Sequence, residues 1–274
     1  LPISYGLVIN EEKCEFWSSD REYSWTGLPE EATYVVQDGF KILGSAVGGD
    51  VALTMVVNKR VSQIQSLMSL LPSLQDATMH YQLLRDCLGY PKFNFMLRTI
   101  DIGRVGNAAA KFDEAIRESC GELFGNYILT RDDLHRIGLP VSRSGFGLTI
   151  AAFEGPAAYL GSLCQSAGLQ EKILGGPDTV PATRLRDRRR LLYEAYTASF
   201  RPSIPGFTME DLLKDPKPQN TLSKFGSKCR YEALLSSIPN SAARSQIEAS
   251  ALPSSGAWLD HHSSNPREYM SSLE

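Results

Sequence analysis

Val57, Val61, Ile64, Met68 and Leu71 recur at steps of four, three, four and three, and the run stops at Pro72. That rhythm belongs to an α-helix with one buried face. A strand would alternate every second residue. Similar stripes follow at Ala77, Tyr81, Leu84 and Leu88, then at Phe112, Ile116, Cys120 and Leu123, then at Leu160, Leu163 and Ala167. From about residue 51 onward the chain is therefore expected to be a stack of amphipathic helices. With 274 residues, 42% hydrophobic and 22% charged, it has enough apolar side chain to give that stack a core.

The start of the chain has a different period. Residues 13–17 alternate, and residues 33–37 (TYVVQ) are β-branched and aromatic, so both predict strands. Asp38-Gly39 is a strong hairpin signal, which predicts residues 33–37 pairing with residues 40–44. The expected class is mainly α with a small N-terminal antiparallel sheet. Its three regions are a strand-rich 1–50, a helical 51–170 and a helical extension over 171–274 with a loose tail. Ser73 is expected to cap the helix that follows it, with Asp76 at its third position. Glu154-Gly155-Pro156 predicts a helix with proline in its first turn. Helices are also expected over 184–200, 208–214, 221–236 and 240–251. Leu1 in place of Met suggests a fragment or a processed product.

Residues usable for chemistry are sparse. Asp132-Asp133 is an adjacent acidic pair, but it follows Thr130 at an expected helix start, where acids favour the helix dipole. His261-His262 has no third ligand at metal-binding spacing, and His80 and His135 stand alone. The stretch 44–49 is glycine-rich but lacks a phosphate-loop Lys-Ser or Lys-Thr and reads as a strand-to-helix turn. Five dispersed cysteines suit reduced thiols rather than a disulfide framework. No leader peptide or bilayer-spanning stretch is apparent, and an intracellular location, cytoplasmic or nuclear, is expected.

Charge is uneven. Residues 1–50 carry three basic and nine acidic side chains, whereas residues 51–104 carry six and three. Arg184, Arg186, Arg188, Arg189 and Arg190 crowd seven positions of one expected helix. They suit either a phosphate-gripping face or a solvated face paired with Asp187 and Glu194.

The order of several segments resembles retrotransposon reverse transcriptases of the non-LTR type. Gly6-Leu7-Val8-Ile9-Asn10-Glu11-Glu12-Lys13-Cys14-Glu15 is similar to the segment after that family's catalytic hairpin. Phe40 to Gly48 (FKILGSAVG) resembles its primer-grip hairpin. Tyr81 to Phe93, closed by Leu97-Arg98-Thr99, resembles its helical thumb segment. Leu139-Pro140-Val141 with Gly145-Phe146-Gly147-Leu148 resembles a further glycine-rich segment, with Ser144 where the family usually has Gly. Ala257-Trp258-Leu259 matches a later element faintly.

The resemblance implies the last strands of a palm, then a thumb, then an extension. It implies an RNA-directed DNA polymerase as the parent, with Mg²⁺ as the parent's cofactor and none held by this piece. Implied nucleic-acid contacts are Phe40, Leu43, Gly44, Arg85, Lys92 and Arg98, with Lys13 an accessory near the incoming nucleotide. The implied partners are an RNA or DNA template–primer, bound weakly through phosphates, and the upstream palm and fingers of the same polyprotein. No membrane is implied. The family's Tyr-x-Asp-Asp carboxylates are not in this chain, so primer extension by the chain alone is expected to give no incorporation. The competing expectation is a non-enzymatic helical interaction protein derived from a degenerate transposon.

Overall fold

The computed structural model describes residues 15–16, 33–34, 38–256 and 259. Lys13, His261 and His262 lie outside the described residues, as do Ala257 and Trp258. Strands β1 (Glu15–Phe16) and β2 (Thr33–Tyr34) pair in parallel, two residues each. Strands β3 (Gly39–Ile42) and β4 (Ser45–Gly48) form an antiparallel hairpin.

This corrects the expected register. The hairpin turns at Leu43-Gly44, not at Asp38-Gly39, and residues 33–34 pair with β1 instead. Leu43 (φ +48°) and Gly44 (φ +88°) both take the left-handed conformation that a tight hairpin needs, and Leu is a poor signal for it. Gly39 is glycine for another reason. A Cβ there would stand 2.3 Å from the Val47 carbonyl oxygen. Residues 45–48, read as part of a strand-to-helix turn, are thus a strand.

The rest is helical, as the apolar periods require. The helices are α1 (Asp50–Met68), α2 (Ala77–Leu83), α3 (Tyr90–Thr99), α4 (Gly106–Leu123), α5 (Arg131–Ile137) and α6 (Ala151–Gln165). They continue with α7 (Ala167–Ile173), α8 (Val180–Ala198), α9 (Met209–Lys214), α10 (Pro218–Ser237) and α11 (Ser241–Ser250). Leu53, Val57, Val61, Ile64 and Met68 are the buried face of α1. They join a core that runs through Tyr81, Leu84, Phe93, Phe112 and Ile116, where the Phe93 and Phe112 rings stack at 4.3 Å. Leu259 also reaches that core. A second cluster gathers Leu160, Cys164, Tyr196, Leu212 and Leu222, ringed by Phe200, Phe207 and Phe225. Helix α6 serves both clusters, Ala158 in the first and Ala157 in the second.

Several helix starts differ from expectation: α8 begins at Val180 rather than 184 and α10 at Pro218 rather than 221, and two others have a clear cause. Asp76 is itself the cap of α2, its side chain accepting from the Met79 N–H, because residues 71–74 close into a tight 3₁₀ turn that contains Ser73. Helix α6 begins at Ala151, which places Pro156 in its second turn. Its start is supplied by another helix. The Asp113 carboxylate of α4 accepts the Ala151 and Ala152 N–H groups at 2.5 and 3.0 Å. Thr130 and Asp133 form a reciprocal capping pair at the start of α5, so this half of the adjacent acidic pair serves the helix end.

Candidate nucleic-acid interface

Helix α3 sorts the sequence-derived contacts onto two sides. Tyr90, Asn94 and Arg98, spaced by four, face α6 and α10. Gln219 of α10 donates to the Tyr90 hydroxyl and to Asn94 Oδ1, and Arg98 Nη2 donates to Gln165 Oε1 at 2.7 Å. Phe95 and Thr99 face the hairpin. The Ser45 and Thr99 hydroxyls are 2.6 Å apart, and a Cβ on Gly44 would lie 3.7 Å from the Phe95 ring. Lys92 lies one turn before Phe95 and is exposed, while its carbonyl accepts from Arg60 Nε of α1.

Phe40, Leu43, Gly44 and Lys92 therefore share the hairpin side, and Arg98 belongs to the other. Leu43, at the tip, is 91% exposed, and Ile42, Val47 and Phe95 beside it are exposed by nearly half. Lys41 in β3 is exposed as well. Arg85 sits in the π-turn Leu84–Leu88. It makes a two-pronged ion pair with Asp86 and lies 5.1 Å over the Tyr81 ring, so its guanidinium is engaged within the protein.

On the Arg98 side a cleft of about 780 Å³ opens between α3, α6, the start of α10 and the loop around Pro140–Thr149. Arg98, Arg143, Lys217 and Lys224 line it, against one carboxylate, Glu154. Glu154 is committed to Arg230 Nη2 at 2.9 Å and to the Ser223 hydroxyl at 2.6 Å. Gln165, an exposed residue of the lining, takes the Arg98 hydrogen bond and gives one to the Pro216 carbonyl at 3.5 Å. Tyr90 also lines the cleft. Burial pushes its phenol up to about 12. Glu154 adds to that shift, while the Gln219 hydrogen bond and Arg98 oppose it.

The arginine-rich stretch resolves into structure rather than a single gripping face. Arg189 is 2% exposed and bonds Gln170 and Glu171, locking α8 to α7. Arg188 pairs with Asp101, Arg190 with Asp187, and Arg186 donates to the Pro177 carbonyl. Arg184 remains exposed. His80 is buried against the Ser119 hydroxyl at 2.9 Å, and burial lowers its pKa.

Among the described residues no group of three or more His, Cys, Asp or Glu could hold a metal ion, and no helix is long and apolar enough to cross a membrane. Sequence reasoning missed Arg143, Lys217 and Lys224. They come from segments far apart in the chain. The only local trace is a polar row on α10, Asn220, Ser223, Lys224 and Ser227, which reads as any solvated helix face. No protein family, curated protein or solved structure matches the chain.

Proposed function

We propose that the chain is the C-terminal, template–primer-binding part of a retroelement reverse transcriptase and carries no catalytic carboxylates of its own. The observation that carries the reading is the hairpin side. The segment resembling a primer grip folds as a hairpin, with Leu43 projecting at its tip, Gly44 next to Phe95, Lys41 exposed in β3 and Lys92 exposed one turn before Phe95. An apolar prong flanked by cations suits a sugar–phosphate backbone. Apolar atoms lie against the sugar, the ammonium groups take the phosphates, and no base is read.

Titration of a labelled RNA–DNA hybrid by fluorescence anisotropy at low salt tests this. Binding is expected in about the micromolar range, to weaken steeply as salt rises, and to be indifferent to base sequence. Lys41→Glu with Lys92→Glu should weaken it about tenfold, since both phosphate-facing charges are reversed. If the hybrid gives the same trace with protein as with buffer alone, the reading fails and an inert transposon-derived helical protein takes its place.

A further inference from the structure

The cleft on the Arg98 side has a charge pattern that the hairpin reading does not use. Four cations line it, from α3 (Arg98), the 140–149 loop (Arg143) and the first turns of α10 (Lys217 and Lys224). Among the described residues none of the four has a carboxylate within ion-pair distance, although the whole chain has a net charge of −3. The one acid in the wall, Glu154, is already neutralised by Arg230, whose side chain is 10% exposed. Asp215, just before α10, has its oxygens taken by the Lys217 N–H and the Thr221 hydroxyl.

Like charges along one concave wall repel one another unless an anion joins them, and a cleft lined by one sign of charge draws the opposite ion. Arg98 is set for this role. Gln165 fixes one of its nitrogens, while Nε and Nη1 have no protein acceptor. A guanidinium held in place with a free donor on each of two edges can meet oxygens of successive phosphates, and mobile lysine ammonium groups add charge without demanding geometry. The volume, about 780 Å³, takes a group larger than a single inorganic ion.

We infer that this cleft binds the linked phosphates of an oligophosphate ligand through Arg98, Arg143, Lys217 and Lys224. The same chemistry is offered by a free polyphosphate and by the backbone of a single nucleic-acid strand. The inference does not rest on the hairpin reading, because the two surfaces lie on opposite sides of α3.

Calorimetric titration of the full chain at low salt, with tripolyphosphate in one arm and a twelve-nucleotide oligo-dT in the other, decides the matter. Binding in either arm is expected, and Lys217→Glu with Lys224→Glu should weaken it about tenfold or more. Arg143→Glu should weaken it in the same arm. Lys59→Glu, exposed on α1 and away from the cleft lining, should leave it unchanged. Lysines 217 and 224 are exposed, and circular dichroism checks that their variants fold.

Binding in the tripolyphosphate arm alone identifies a free oligophosphate, and binding in the oligo-dT arm alone identifies a strand. For a strand held by all four cations, log affinity should fall against log salt with a slope of roughly −3. No binding in either arm overturns the inference, and so does binding that is blind to reversal at Lys217 and Lys224. Failure of the hairpin reading shows separately, as loss of hybrid binding with the cleft titration intact.

Discussion

Replacing Asp113 with Ala is expected to lower the unfolding free energy by about 2 kcal/mol, because it strands the buried Ala151 N–H and removes the acceptor of the more exposed Ala152 N–H. Asp113 is 8% exposed and, among the described residues, is the acceptor for the Ala151 and Ala152 N–H groups at the start of α6. Its carboxyl is pushed up to about 6. Burial raises it, and the hydrogen bonds from Ala152 and Ala151 pull the other way. A carboxyl whose folded-state pKa exceeds its unfolded value stabilises the fold most when protonated. Its contribution is complete below about 4 and is lost as pH rises through about 6. Between pH 7.5 and 5 this group alone should add about 1.4 kcal/mol of stability. His80 acts in the opposite sense. Its lowered pKa means the unfolded chain takes up the proton more readily, so its contribution falls away as pH drops below about 6.5. Urea unfolding of the native chain and of Asp113→Asn at both pH values separates the two. The stability of the native chain relative to Asp113→Asn should rise by roughly that 1.4 kcal/mol as pH falls from 7.5 to 5. A difference that does not move with pH would mean that the carboxyl is ionised throughout, held so by its two N–H donors.

The same residue shows why parts of this fold were hidden in the sequence. The α1 stripe was legible because its cause is local. A 3.6-residue period places Val57, Val61, Ile64 and Met68 on one face, and burial of that face follows. The start of α6 was not legible, because Pro156 is a strong local signal while the actual cap sits 38 residues away on α4. The hairpin was misregistered for a related reason. Asp38-Gly39 carries the better turn chemistry, yet Gly39 is needed where backbones approach, and the turn falls to Leu43. The arginine run was read by charge alone. Burial of Arg189 between α7 and α8 depends on Gln170 and Glu171, which no helical period brings to mind. Of the candidate interface residues, those on one segment (Phe40, Leu43 and Gly44) could be named together from the sequence. The cleft, assembled from α3, α6, α10 and a loop, left no linear pattern to find.

The crossing of α6 and α10 sets the width of that cleft, and Gly161 sets the crossing. A Cβ at Gly161 would stand 2.6 Å from the Gln219 Cα and 2.7 Å from its backbone nitrogen, so backbone meets backbone there and no flexible side chain can give way. Gln219 in turn ties α10 to Tyr90 and Asn94 of α3. Gly161→Val should therefore push the start of α10 outward, break those bridges and cost about 3 kcal/mol of stability by overpacking. Even Gly161→Ala should destabilise, although alanine in a helix interior normally gains about 1 kcal/mol over glycine. Gly168 in α7 supplies the control. A Cβ there meets nothing within 4 Å, so Gly168→Ala should stabilise by about 0.5–1 kcal/mol. Urea unfolding of the three variants reads the signs directly. In the cleft titration, Gly161→Val should lose oligophosphate binding where Gly168→Ala keeps it. That loss would follow from displaced Lys217 and Lys224, with no charge removed. If Gly161→Ala instead gains stability as Gly168→Ala does, the two helices do not meet at Gly161, and the cleft's width is set elsewhere.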